Sequence, residues 1–282
     1  MRIDLHAHST ESDGTLHPAA VMAAAQRAGL DAVALTDHDT TRGWPGAAAA
    51  VPATGVALVP GIEVSCAHRG ISVHLLGYLI DPSEPGLLQE IERARESRLT
   101  RARRIVDLLG PDTGLRWDEV TAQAAPGATL GRPHIADALV ARGIVASREE
   151  AFEHYLHSRS RYHASHYAPD PVHAVELVRA AGGVPVMAHP FAAQRGRIVD
   201  DEVIERMADA GLAGLEVYHR DHDVEATEHA ADLVKRLGLL ATGSSDFHGA
   251  GKPNRLGEHT TDPQVLTAIE TRATSGTAVM RP

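Results

Sequence analysis

The chain has 282 residues, 43% hydrophobic and 23% charged, enough to bury a sizeable core without a global disorder signature. Its formal net charge of -10 argues against a broad duplex-binding surface, although a local basic pocket for phosphate is compatible with it. Cys66 is the only cysteine, which excludes an intrachain disulfide and a multi-thiolate zinc site and points to a reducing compartment.

The first residues, Met1-Arg2-Ile3-Asp4-Leu5-His6, carry no basic start followed by an apolar segment. No apolar run approaches the roughly 20 residues of a membrane span, so the expected setting is the cytoplasm. Residues 18–29, alanine-rich between a proline and a glycine, predict a helix, and 32–35 a buried strand. Short apolar runs at 56–60 and 74–78 predict two further buried parallel strands. The rhythm returns late, with helix at 172–181, strand at 184–188, helix at 200–210, strand at 212–217, helix at 224–237 and strand at 239–242. Strands alternating with helices predict an α/β fold with a mostly parallel sheet. Between them, residues 87–167 show only helical patterns, at 89–109, 133–141 and 149–156, and read as a helical insertion able to cap a site.

The 18 histidines stand against 3 Phe and 2 Trp, which directs attention to metal ligands. His6 and His8 flank Ala7 after a short apolar start, and on a strand they point to one side. Taken alone, the pair is a weak signal, and polar residues at a strand end are its plainer reading. Asp13 follows in a Ser-Asp-Gly turn, and Thr36-Asp37-His38-Asp39 ends the strand at 32–35; Asp37 and Asp39 are also consistent with turn and helix-cap duty. Glu63 ends the run at 56–60, His74 opens the next, and His189 follows the strand at 184–188. Asp246 and His248 close the strand at 239–242 and share a face if that segment is extended. In α/β barrels the carboxyl ends of the strands carry the chemistry. At least five such ends supplying His, Asp or Glu point to a multinuclear metal site. Nitrogen and oxygen donors without thiolate suit Mn, Zn or Fe. Neither a Gly-x-Ser-x-Gly elbow, a Walker loop nor a Gly-x-Gly-x-x-Gly turn is present, so water is the better nucleophile.

The ordered set His6-x-His8, Asp13, Thr36-Asp37-His38, Gly61-x-Glu63, His74, His189-Pro190 and Asp246-x-His248 resembles the PHP (polymerase and histidinol phosphatase) superfamily across nearly the whole chain. The resemblance implies a distorted (β/α)7 barrel from residues 1–86 and 168–282, with 87–167 as the helical insertion domain capping the active site. It further implies three divalent metal ions, Mn being expected and Zn or Fe the alternatives. One would be held by His6, His8, Glu63 and Asp246, a second by Glu63, His74 and His189, and a third by Asp13, His38 and His248. Gly131-Arg132-Pro133-His134 stands where the nucleotide phosphatase and short-RNA exonuclease branch carries its Gly-Arg-Pro-His segment.

That branch implies a metal-dependent phosphoesterase in which metal-activated water attacks a phosphate ester. The substrate would be a 3',5'-nucleoside bisphosphate, a nucleoside monophosphate or a short oligoribonucleotide trimmed 5' to 3', with no duplex DNA or membrane partner. Arg132, His134 and His219 are the candidate substrate-binding residues. Their plainer readings are a surface charge at a helix start for Arg132 and a solvated loop histidine for His219. Ser158-Arg159-Ser160-Arg161-Tyr162 departs from the Gly-Lys-Pro-type segment of the branch, so no substrate contact is assigned there. Histidinol-phosphate phosphatase and a noncatalytic metal-binding PHP module are the alternatives.

Overall fold

The computed structural model describes residues 1–157 and 159–282; Ser158, which opens the divergent segment noted above, lies outside the described residues. Seven strands form one sheet in chain order: β1 (Ile3–Asp4), β2 (Ala32–Leu35), β3 (Ala57–His68), β4 (Ile71–Tyr78), β5 (Val184–Met187), β6 (Gly214–Tyr218) and β7 (Leu240–Gly243). The sheet curls into a nearly closed barrel. Ala7 bridges Phe247 in parallel, and Thr261 donates to the Ile3 carbonyl at 2.8 Å, which brings the two ends together.

Four neighbouring pairs are parallel, whereas β4 is antiparallel to both β3 and β5. The expectation of a parallel strand at 74–78 is therefore corrected. The reason lies in the connection: only Arg69 and Gly70 separate β3 from β4, with φ of 48° and 76°. A two-residue turn with both central residues at positive φ joins antiparallel strands, while a parallel return needs a crossover of a dozen or more residues.

Helices cover the outside. In chain order they are α1 (Pro18–Arg27), α2 (Trp44–Ala48), α3 (Val51–Thr54), α4 (Pro85–Thr113), α5 (Trp117–Thr121), α6 (Arg132–Ala141), α7 (Arg148–Ala151), α8 (Pro171–Ala180), α9 (Asp201–Asp209), α10 (Val224–Leu237) and α11 (Pro263–Arg272). The starts are chemically marked: Glu84, Asp170, Asp223 and Asp262 each accept a first-turn backbone N–H. The helix expected at 149–156 is instead α7 followed by a π-helical turn, Phe152–Leu156.

Side-chain alternation splits the core. Ala32, Ala34, Val59, Leu76, Tyr78 and Val186 meet in one cluster across the barrel, where Tyr78 donates to the Leu5 carbonyl at 2.8 Å; Val33, Leu35 and Leu58 pack outward with Val21 and Met22 of α1. On α4, Leu87 and Ile91 join the barrel's outer core. From Ala102 onward the helix instead shares a separate cluster with Val120, Ile135, Leu139 and Leu156. Among the described residues no helix is long and apolar enough to cross a membrane.

Candidate metal centre

The strand ends converge at one barrel mouth. His6 and His8 lie beyond the short β1, yet the Ala7 bridge keeps this stretch extended, so both imidazoles turn the same way with their Nε2 atoms 3.0 Å apart. Asp37 does not join them. Its carboxylate accepts from Ser9 N at 2.8 Å, Ser9 Oγ at 2.7 Å and Ser12 Oγ at 2.6 Å, folding the loop that presents Asp13. Asp39 accepts from Ser65 N at 2.8 Å and forms an ion pair with Arg98, Nε to Oδ2 at 2.9 Å, tying the turn after His38 to β3 and α4. Both aspartates tie loops together and neither caps a helix.

Glu63 is at the centre. Its Oε2 lies 3.2 Å from His6 Nε2, 3.0 Å from His8 Nε2 and 3.2 Å from His38 Nδ1. Its Oε1 lies 2.7 Å from His74 Nδ1 and 3.4 Å from His189 Nε2. Asp246 Oδ1 approaches His6 Nε2 at 3.4 Å and His8 Nε2 at 3.3 Å, and Asp13 Oδ1 approaches His248 Nε2 at 3.2 Å. The segment around Asp246 is not extended, because Asp246 has φ of 52°. His248 still reaches it, Nδ1 to Oδ1, at 3.4 Å. His189 and Asp39 are also left-handed, at 30° and 51°, so three non-glycine residues in or beside the cluster hold a costly backbone conformation.

Ligand-type atoms gather into three groups: His6, His8, Glu63 and Asp246; His8, Asp13, His38 and His248; and His38, Glu63 and His74. The first matches the set implied by the resemblance. The second adds His8 to the implied set. In the third, His38 lies within the group while His189 approaches Glu63 from its edge.

The donor set fits divalent cations on its own chemistry. Glu63 Oε2, His38 Nδ1, His189 Nε2 and His248 Nε2 are buried without a hydrogen-bond partner, close to one another but lacking hydrogen-bond geometry. Such atoms are costly unless a cation satisfies them. Burial, opposed only in part by Asp13 and Asp246, lowers His248 to about 4, and burial with nearby Arg195 lowers His189 to about 3. These rings are neutral, as ligands must be. Burial also disfavours charge on His8, but hydrogen bonds to Asp246 and Glu63 outweigh it and raise its pKa to about 9. Despite burial, Asp13 is held well below the carboxylate range by His248 and His38, and Glu63 by His38 and His74.

Around the cluster stand residues that the sequence did not single out. Glu216, fully buried, accepts from the His189 N–H at 2.8 Å, lies 3.1 Å from His6 Nδ1 and also accepts from Ser244 Oγ. Asp246 Oδ2 accepts from Arg195 Nη2 at 2.8 Å and Lys252 Nζ at 2.9 Å. Glu216 follows the same strand-end rule as the ligands and was legible; Arg195 and Lys252 sit at the ends of short 3-10 turns with no periodic signal.

Of the three predicted substrate-side residues, His219 faces Asp246 and His134 lies near Asp13, whereas Arg132 lies in a cleft of the helical segment. His219 Nδ1 accepts from Asp221 N at 3.0 Å, which leaves Nε2–H facing Asp246 Oδ2 at 3.9 Å. His134 Nδ1 accepts from Gly131 N at 3.1 Å, and burial keeps the ring neutral. Arg132 donates to the Leu156 carbonyl at 2.9 Å and shares a small cleft with Arg98 and Arg101. Arg101 donates to the Ala164 carbonyl at 3.0 Å. Burial and mutual repulsion lower Arg132 to about 10 and Arg101 to about 9, and burial and the same arginines push His166 down to about 3.

Comparison with known proteins places this site. The 3',5'-nucleoside bisphosphate phosphatase of Chromobacterium violaceum is 35% identical over 267 residues, covering 92% of each chain. A 5'-3' exoribonuclease of Haemophilus influenzae is 31% identical, covering 88% of this chain and 90% of its own. A crystal structure from Bifidobacterium adolescentis, described as that of a metal-dependent phosphoesterase, superposes with a TM-score of 0.94 at 40% identity over 96% of both chains. The PHP domain model matches residues 4–180. A barrel mouth lined by histidines and carboxylates, together with similarity to these relatives over nearly the full length, makes this chain a metal-dependent phosphoric ester hydrolase that belongs to the PHP domain family.

Proposed function

We propose that the enzyme hydrolyses phosphate esters of substrates bearing a second phosphate, either 3',5'-nucleoside bisphosphates or short RNA trimmed 5' to 3'. One observation carries this reading: Arg101 and Arg132, which share one small cleft with Arg98, donate only to backbone carbonyls and repel each other. Uncompensated guanidinium groups suit a phosphate dianion. His166 links this cleft to the ligand-type His74, since it feels both the arginines and His74. The relatives named a bisphosphate phosphatase and an exoribonuclease both act on substrates of this kind.

In this reading three divalent ions, Mn being expected, are held by His6, His8, Glu63 and Asp246, by Glu63, His74 and His189, and by Asp13, His38 and His248. When bound, such ions polarise phosphate oxygens and lower the pKa of water. Glu63 offers one oxygen to each side of the site and would contribute to two ion positions. Arg195 and Lys252 hold Asp246 Oδ2, which keeps Oδ1 turned toward His6, His8 and His248. Arg132, with Arg101, would hold the second phosphate from the helices that cap the mouth. His134 and His219 would each donate from Nε2 to the substrate.

The natural competitor is a monophosphate such as AMP or histidinol phosphate, which would leave the arginine cleft unused. Assays of the Mn-loaded protein on adenosine 3',5'-bisphosphate, AMP, histidinol phosphate and short 5'-phosphorylated RNA, with metal analysis, separate these. The bisphosphate or RNA should show the highest kcat/KM; preference for histidinol phosphate would overturn the proposal.

A further inference from the structure

Arg148, the first residue of α7, lies far along the chain from the barrel strands yet reaches the mouth. Its guanidinium forms a fork on Asp137 of α6, Nε to Oδ1 at 2.5 Å and Nη2 to Oδ2 at 2.6 Å. The remaining nitrogen, Nη1, donates to the backbone carbonyl of Asp13 at 3.2 Å. The same nitrogen lies flush against Gly251, where any Cβ would collide with it. Gly251 ends the turn that begins at His248, and its N–H donates to the His248 carbonyl at 3.3 Å. Thr15 N also donates to that carbonyl, at 3.1 Å, so the Asp13 loop and the His248 turn already touch. Arg148 spans their seam from outside. Its side chain is 15% exposed, and its hydrogen bond to Asp13 is to the backbone carbonyl and not to the carboxylate.

We propose that Arg148 is a positioning residue that, braced by Asp137, holds the Asp13 loop against the His248 turn and so selectively tightens cation binding by Asp13, His38 and His248. This rests on the reading that these three residues hold one of the ions. Selectivity follows from the contacts: Arg148 touches loops bearing two members of this group, whereas Glu63, His74 and His189 are set by β3, β4 and the end of β5. Partners that orient metal ligands are typically worth about 10- to 100-fold in metal affinity. A lysine would not replace this arginine, because an ammonium cannot occupy the Asp137 fork and reach the Asp13 carbonyl together.

The test is calorimetric titration of the metal-free full chain with Mn2+, with bound ions counted and thermal melting of the same samples. Arg148→Ala and Arg148→Lys should weaken one ion about 10- to 100-fold and leave the others at wild-type affinity, and excess Mn2+ should restore kcat. Gly251→Ala, which retains both Arg148 and Asp137 but crowds Nη1 with a Cβ, should weaken the same ion, as should the control Asp13→Asn. Uniform weakening of all ions, or unchanged affinity in both Arg148→Ala and Gly251→Ala, would overturn the proposal while leaving the three-ion reading intact. Fewer than three ions in the wild type would overturn both.

Discussion

Replacing Glu216 by glutamine tests how far the centre depends on a residue outside its ligand set. The carboxylate accepts from three directions at once: His6 Nδ1 at 3.1 Å, the His189 N–H at 2.8 Å and Ser244 Oγ. An amide has one acceptor and one donor. Turned one way, its NH2 faces the His189 N–H; turned the other way, it faces His6 Nδ1–H. Either orientation leaves a buried donor unpaired or flips the His6 tautomer, at a cost of about 1–3 kcal/mol. That corresponds to roughly 5- to 150-fold weaker metal binding at the position containing His6, the range typical of orienting partners. A second effect opposes it. Burial disfavours the His6 proton, but Glu63, Asp246 and Glu216 together raise its pKa well above the usual value, so removing one carboxylate weakens the proton that competes with metal. The deficit in the variant should therefore be larger at pH 9 than at pH 7. Mn2+ titrations at both pH values, with thermal melting to confirm folding, measure it; equal affinities of wild type and Glu216→Gln at pH 9 would refute the reasoning.

In the wild type, His8 with its pKa of about 9 must lose a proton before it can ligate, so Mn2+ affinity should rise with pH up to at least about 9. Proton release measured in buffers of different ionisation enthalpy checks this. Glu63→Gln should abolish turnover and weaken at least two ions, while Asp37→Asn, which disturbs only the Ser9 and Ser12 contacts, should cost less metal in elemental analysis. Arg132→Ala should leave metal content intact and lower kcat/KM for the bisphosphate roughly 10- to 100-fold, the worth of a charge-assisted contact. Lysine there should recover part of the loss in steady-state kinetics.

Most ligand candidates were legible because they border an apolar run that needs no partner to be recognised, as His38 follows 32–35 and His189 follows 184–188. What local pattern could not supply was direction. The run at 74–78 has the same apolar character whether its strand runs up or down, and only the two-residue link at Arg69 and Gly70 decides it. Left-handed Asp246 was hidden for a related reason: the strain is imposed by neighbouring loops, and the sequence Ser-Asp-Phe-His alone reads as extended. The arginine cleft combines Arg98 and Arg101, three apart on one face of α4, with Arg132 at the start of another helix, so its existence depends on how those helices pack. The same holds for Arg148 and Asp137.

Because β4 runs against its neighbours, His74 reaches the mouth from near the beginning of its strand, paired opposite Ser65 two residues past Glu63. The hairpin tip at His68–Ile71 therefore projects beyond the cluster as a rim that can be rebuilt independently of the centre. Residues added or removed in matched pairs at the tip preserve the Ser65–His74 register and change only the height of the wall beside the mouth. A single-residue slip within the paired stretch would instead turn His74 to the opposite face of the sheet. Substrate access and metal retention can thus be engineered separately on one hairpin, the first through its length and the second through its parity.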